Sequence, residues 1–266
     1  MAQNSIADAS RPNPGRIYDY MLGGGHNFEV DREVAERLMK LFPYGPKYAR
    51  LQRWSLRTIA EELSCKRGFD VIIDFASGLP TNGHIHFNVS SETTVIYSDH
   101  DSITVEYAQE ILKNTPNVRI FKSDAGRPDE LLNNPEVQEM LNGRRKVAFV
   151  MWGVSGFLSD DALSYAAQTL YDWAAPGSCL AFNSQTLDGR ESDVIQMCEI
   201  YKQMGTIIYT RKVEDHSKLL KPWQMEAPGF VSLIKWHGFD ESDFKGEDNA
   251  AFGPSCGGHG AYLVKP

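Results

Sequence analysis

The chain has 266 residues, 42% hydrophobic, 23% charged and 11% aromatic, which excludes wholesale disorder, collagen and low-complexity classes. Lys and Arg number 27 against 35 Asp and Glu, a net charge of −8. Counterion-release binding needs clustered cations, so nucleic acid is not an expected partner.

The polar N-terminus, Met1 to Pro14, lacks the cationic start and apolar run of a signal peptide. The longest apolar stretch, Val147 to Leu158, is too short to span a bilayer. Cys65, Cys179, Cys198 and Cys256 form no CxxC pair, which suits a reducing compartment and argues against a zinc ribbon or disulfide scaffold. These features predict a cytoplasmic protein without a membrane partner.

In chain order, a turn segment is expected over Arg16–Asn27, then helices at about Asp31–Phe42 and Pro46–Cys65. Val34, Leu38 and Leu41, then Leu51, Leu56, Ile59 and Leu63, recur there at helical spacing. Residues 1–66 are read as an N-terminal lid segment with helices, and residues 67–266 as the ligand-binding domain. Seven apolar runs follow: Val71–Phe75, Thr94–Ser98, Val118–Phe121, Val147–Trp152, Ser178–Phe182, Thr206–Tyr209 and Gly260–Val264. Helical patterns lie between them at Ser102–Lys113, Pro128–Leu141, Asp160–Trp173 and Glu191–Met204. This alternation predicts an α/β fold, a mostly parallel sheet with helices on both faces. Strands covered on both faces read as continuous apolar runs, as these do. The long stretch Glu214–His259, with Pro and Gly and no full-length helix, predicts an antiparallel last strand.

Ligands of such sheets bind at the carboxyl ends of the strands. After the first strand the chain reads Asp74-Phe75-Ala76-Ser77-Gly78-Leu79-Pro80-Thr81. This is not G-x-G-x-x-G, and Leu79-Pro80 stand where a pyrophosphate needs small residues. An acid followed by the tight turn Ala76, Ser77, Gly78 instead suits a zwitterionic amino-acid group, with Asp74 facing its ammonium. Asp99 ends the second strand about twenty residues past Gly78, the position from which Rossmann-type folds grip ribose hydroxyls. Asp101 is read as the cap of the following helix. Asp124, with Ala125 beside it, ends the third strand and is read as the acceptor for an adenine amine. Three carboxylates favour an adenosine without phosphates over NAD or ATP. His84 and His86 are read as helix-start or loop residues, and no metal is expected.

The segment Arg16-Ile17-Tyr18-Asp19-Tyr20-Met21-Leu22-Gly23-Gly24-Gly25-His26-Asn27-Phe28-Glu29-Val30-Asp31-Arg32 resembles the R-x-Y-D-Y-x-L-G-G-K-D-N-F-x-x-D-R signature of the S-adenosyl methyltransferase family, a branch of the class I S-adenosylmethionine (SAM) methyltransferases. Gly78-Leu79-Pro80-Thr81, Asp99-His100-Asp101, Ala175-Pro176-Gly177-Ser178 and the end from Gly257-Gly258 to Lys265-Pro266 are similar to further family motifs. The resemblance implies a Rossmann-like class I methyltransferase with a seven-stranded, mostly parallel sheet and an antiparallel last strand. It implies SAM as cofactor, S-adenosylhomocysteine as product and a small-molecule substrate.

On that reading Tyr18, Tyr20 and the Gly23–Gly25 lid, Gly24 included, approach the cofactor from above. Trp152, ending the fourth strand, offers a π-face to the sulfonium. Methyl transfer asks chiefly for in-line positioning. A base for a protonated nucleophile would be sought at His26, His100 or Asp19. The chain departs from the family pattern at Gly25-His26 and over Trp152–Phe157. Those departures motivate an alternative, cyclisation of SAM itself to methylthioadenosine and a cyclic amino acid. A non-catalytic SAM-binding role is the other alternative.

Overall fold

The computed structural model describes residues 10–81, 83–185, 191–246, 248 and 258–266. Cys256, Gly257, Asn82 and the polar start of the chain through residue 9 lie outside the described residues. Five runs of apolar and β-branched residues form β1 (Val71–Phe75), β2 (Thr94–Asp99), β3 (Val118–Lys122), β4 (Ala148–Met151) and β5 (Cys179–Gln185). All residues of β1, β2 and β4 are buried, because helices cover both faces. Two short strands, β6 (Gln224–Met225) and β7 (Val231–Ser232), precede β8 (Gly258–Val264). The sheet order is β3-β2-β1-β4-β5-β8-β6, with β7 also on β8. β1 to β5 pair in parallel, and β8 runs antiparallel to β5, β6 and β7.

The register sets what each face receives. Asp74 lies opposite Tyr97 and Val150, and Phe75 opposite Ser98 and Met151. One face packs Ile72, Tyr97, Val150 and Trp152 with Leu51, Leu56, Ile59 and Leu63. The first three of those four lie on α3 (Gly45–Glu61), so this N-terminal helix and the sheet share one core. The opposite face buries Ile73, Phe75, Phe149 and Met151 under Leu131, Val137, Leu163 and Leu170. Ahead of α3 stand α1 (Pro14–Met21) and α2 (Glu29–Leu41). The remaining helices are α4 (Ser102–Leu112), α5 (Pro128–Leu132), α6 (Pro135–Leu141), α7 (Asp160–Trp173), α8 (Glu191–Gln203), α9 (Val213–Leu219) and α10 (Leu233–Trp236). Ile17, Val34, Leu38 and Ile200 join α1, α2 and α8 in a third cluster.

Three details differ from the sequence expectation, each for a local reason. The first half of the expected turn segment, Arg16–Met21, is helical, because Asn13 caps α1 by accepting from Gly15 N at 2.7 Å and Pro14 opens the helix. The helix expected over Pro128–Leu141 is two helices. Pro135 has no N–H to continue the first, and Asn134 caps the second. Thr206–Tyr209 is not a strand. Ile207 is exposed there, and Tyr209 N donates to the Gly156 carbonyl at 2.7 Å instead of to a sheet. The outer edge beyond β8 is taken by β6 and β7, which brings the sheet to eight strands.

Candidate functional site

The strand order reverses at β1, which lies between β2 and β4, and the loop leaving β1 therefore borders the crevice. Ala76 has φ +53° and Gly78 φ +64°. An alanine in the left-handed region is strained, and neighbours hold it there. Ser77 N donates to the Ser98 carbonyl at 2.9 Å. Gly78 N donates to Asp99 Oδ2 at 3.0 Å. His84 Nδ1 accepts from Ile85 N at 2.9 Å, so Nε2 carries the proton and donates to the Ser77 carbonyl at 3.1 Å. Burial drives the His84 pKa well down and keeps the ring neutral. His86 lies 3.0 Å from the Tyr97 hydroxyl through Nδ1, and burial lowers its pKa to about 4. The two histidines thus prop the β1 loop against Tyr97.

Two buried acids flank the loop. Asp99 also accepts from Asp101 N at 2.9 Å, and burial raises its pKa although those backbone bonds and His100 oppose the shift. His100 itself is exposed, its Nδ1 3.6 Å from Asp99. Asp101 caps α4, accepting from Thr104 N at 2.9 Å. Asp74 Oδ2 is buried without a hydrogen-bond partner, and the nearest cation-forming group is His84 Nε2 at 3.9 Å. Burial pushes the Asp74 pKa well up; the positive charge of Arg53 opposes this and Asp99 adds to it. At the end of β3, Asp124 is exposed and accepts from Gly126 N at 2.8 Å, while Ala125 is buried under it.

The N-terminal residues are placed as follows. The Tyr18 hydroxyl donates to the Ala49 carbonyl at 3.0 Å, and the Arg53 guanidinium stands 5.5 Å from its ring centroid. The Tyr20 hydroxyl turns to α2 and donates to Glu36 at 2.7 Å. Asp19 accepts from His26 N and from Asn27 Nδ2, both at 2.9 Å, and so organises the glycine turn. A Cβ on Gly24 would run into that carboxylate, which is why a glycine stands there. The His26 ring meets Tyr107 edge-on at 5.7 Å. Trp152 is buried edge-on against Trp236, at 5.8 Å, and its Nε1 has no hydrogen-bond partner. A Cβ on Gly260 would come within 2.8 Å of its indole, so β8 fixes the ring.

The structure therefore brings Asp74, Ala76, Ser77, Gly78 and Asp99 together, with His100 at their edge and Trp152 on the same sheet face. Tyr20 faces α2, and Asp124 faces outward. One residue escaped the sequence reading. Arg53 on α3 is 8% exposed, and its Nε and Nη1 have no hydrogen-bond partner among the described residues. The signal was present: Arg53 falls between Ala49 and Leu56 on the apolar stripe of α3, where a cation is costly unless something needs it. Arg53 lines a cavity of about 570 Å³ with Arg50, His26, Pro80, Phe87 and Ile111. The cavity touches the β1 loop beyond its turn, at Pro80 and Thr81, and does not reach Asp99.

Among curated proteins none matches the chain in sequence. A crystal structure of a DUF574 family protein from Streptomyces avermitilis is 25% identical, with a TM-score of 0.85 over 98% of this chain and 100% of that one. A proposed methyltransferase from Thermobifida fusca is 26% identical, with a TM-score of 0.85 over 100% and 99%. Magnesium protoporphyrin IX methyltransferase from Synechocystis, solved with bound SAH, shares the fold at 13% identity and a TM-score of 0.53 over 98% of each chain. The sequence profile of the S-adenosyl methyltransferase family matches residues 1–258. The chain belongs to that family, with SAM as its cofactor and a Rossmann-like class I fold.

Proposed function

We propose that the protein transfers the methyl group of SAM to a small organic acceptor. The observation that carries this reading is the pair of buried acids, Asp74 and Asp99, on either side of the left-handed Ala76–Gly78 turn at the point where the strand order reverses. The residues fit the cofactor. Asp74 Oδ2 lacks a partner and suits an ammonium. Gly78 presents backbone at close approach. Each Asp99 oxygen accepts one backbone N–H and retains a lone pair, so the carboxylate has room for two ribose hydroxyls. The same negative charge disfavours a phosphate.

When bound, the cofactor supplies an already activated methyl on its sulfonium. The chain's task is then to orient the acceptor and exclude water. His26 lines the cavity and is the proposed base for an acceptor that arrives protonated. Tyr18 backs Arg53, which lines that cavity. Its hydroxyl is engaged with Ala49, and burial holds its pKa up, although Arg53 opposes that shift. Trp152, held by Trp236 and Gly260, follows the end of β4 beside β1 and is proposed to offer its ring to the cofactor.

The test is incubation with methyl-labelled SAM, with and without a pool of small-molecule acceptors, followed by mass spectrometry. S-Adenosylhomocysteine and a labelled product that both require an acceptor support methyl transfer. Methylthioadenosine released from SAM alone replaces it with cyclisation. Tight SAM binding with no turnover across the pool replaces it with a binding role.

A further inference from the structure

Arg53 is the charged group that the reading above leaves without a task. A guanidinium has five N–H donors and stays charged in proteins. Burying one with Nε and Nη1 unmatched is costly, and α3 does so at 8% exposure. Its contacts do not resolve this. Tyr18 meets the guanidinium with its hydroxyl and with its ring, 5.5 Å away, and still leaves Nε and Nη1 unmatched among the described residues. Arg53 attracts the Asp74 carboxylate electrostatically, yet Asp74 Oδ2 has no hydrogen bond among the described residues. The donors instead belong to a side chain that lines the cavity. One turn back on α3, Arg50 lines the same cavity from an exposed position, with no ion pair among the described residues. Asp19, the carboxylate on this wall, is occupied by His26 N and Asn27 Nδ2. The remaining walls at Pro80, Phe87 and Ile111 are apolar. Two cations facing an apolar-walled space of about 570 Å³, in a chain with net charge −8, describe a receptor for a small anion of drug-like size.

We propose that Arg53, with Arg50 at the mouth, makes this cavity a carboxylate-binding site. The carboxylate has two sources, the amino-acid end of the cofactor or an acceptor that is itself an organic acid. The first source rests on the proposed methyl-transfer site; the second holds for the cavity alone.

The experiment compares the full-length protein with Arg53→Gln and Arg53→Lys by calorimetry. The probes are S-adenosylhomocysteine, methylthioadenosine, which lacks the amino-acid end, and a panel of aromatic and aliphatic monocarboxylates with their primary amides. Circular dichroism confirms that each variant is folded, and Arg53→Lys keeps the charge should Arg53→Gln fail to fold. Loss of a charge-assisted hydrogen bond corresponds to about 10- to 100-fold in affinity. If Arg53→Gln loses that much for S-adenosylhomocysteine and nothing for methylthioadenosine, the carboxylate is the cofactor's. If cofactor binding is unchanged, and carboxylates that bind the loaded wild type in preference to their amides are lost with Arg53, the carboxylate is the acceptor's. If neither affinity depends on Arg53, the proposal is overturned. A wild type that binds neither nucleoside refutes the cofactor site, and the carboxylate panel on unloaded protein then decides the cavity separately.

Discussion

Two charged regions of this molecule are treated in opposite ways. In the segment from Arg16 to Asp31 the buried charges are matched. Arg16 Nε donates to Asp31 at 2.8 Å, Nη1 to Asp101 at 3.0 Å and Nη2 to the Arg11 carbonyl at 2.6 Å. Asp31 accepts besides from Asn13 N at 2.8 Å and Phe28 N at 2.9 Å. Near the end of β1 and in the middle of α3, Asp74 and Arg53 are also buried and keep atoms unmatched among the described residues. A saturated buried pair holds geometry, since breaking either partner strands the other. An unsaturated buried group costs stability with no return inside the protein, which is the signature of a place made for a ligand. The recognisable motif is thus the clamp that ties α1 to α2 and to the start of α4, and the plainer residues are the ones proposed to face the cofactor.

The largest effect expected from this contrast is on the clamp. Asp31→Ala leaves the Arg16 guanidinium buried with two of its three partners, and is expected to cost about 3–5 kcal/mol of stability. Denaturant unfolding measures it. A loss near zero would mean that the motif is not the scaffold described. At the open site the effect moves from stability to binding. Asp99→Ala is expected to weaken S-adenosylhomocysteine by about 1–3 kcal/mol, the cost of hydroxyls left without an acceptor, and calorimetry would remove the ribose assignment if affinity were unchanged.

The sheet was largely legible because its strands announce themselves. Val71–Phe75 and Thr94–Asp99 carry apolar runs and are buried throughout, and Asp-Ser at Asp101-Ser102 signals a helix start that the structure confirms. The apolar run at Thr206–Tyr209 misled because composition does not say which edge of a sheet is already occupied, and β8 was already paired on that side by β6 and β7. The acids at strand ends were readable from position. Arg53 left only a weaker signal, a cation on the apolar stripe of α3; which of its donors go unmatched is a tertiary fact.

Asp74→Asn sharpens the contrast through pH. Burial raises the Asp74 pKa in the folded protein, so the folded state holds its proton more tightly than the unfolded chain does. The protein is then destabilised as pH rises above the ordinary carboxylate pKa of about 4. Asn cannot ionise. The unliganded variant is expected to match the wild type near pH 4 and to exceed its melting temperature by a margin that grows toward pH 8. Its affinity for S-adenosylhomocysteine is expected to fall. A margin that stays flat with pH would show that Arg53 neutralises Asp74 in solution, and the two would then count as a saturated pair like Arg16 and Asp31.

The smallest effect falls on Tyr20, which the sequence placed at the cofactor and the structure turns toward α2. Its hydroxyl donates to Glu36 at the surface, and its ring packs beside Ile17 and Val34. Tyr20→Phe keeps the ring and removes only that exposed bond, so the unfolding midpoint and S-adenosylhomocysteine affinity are both expected to stay within error of the wild type. Because Arg16, the third residue of α1, is pinned to Asp31 and Asp101, a rotation that carried Tyr20 inward would have to break the clamp. A clear loss of affinity in Tyr20→Phe would therefore mean that α1 moves when the cofactor binds, and that the matched region is a gate rather than a fixed support.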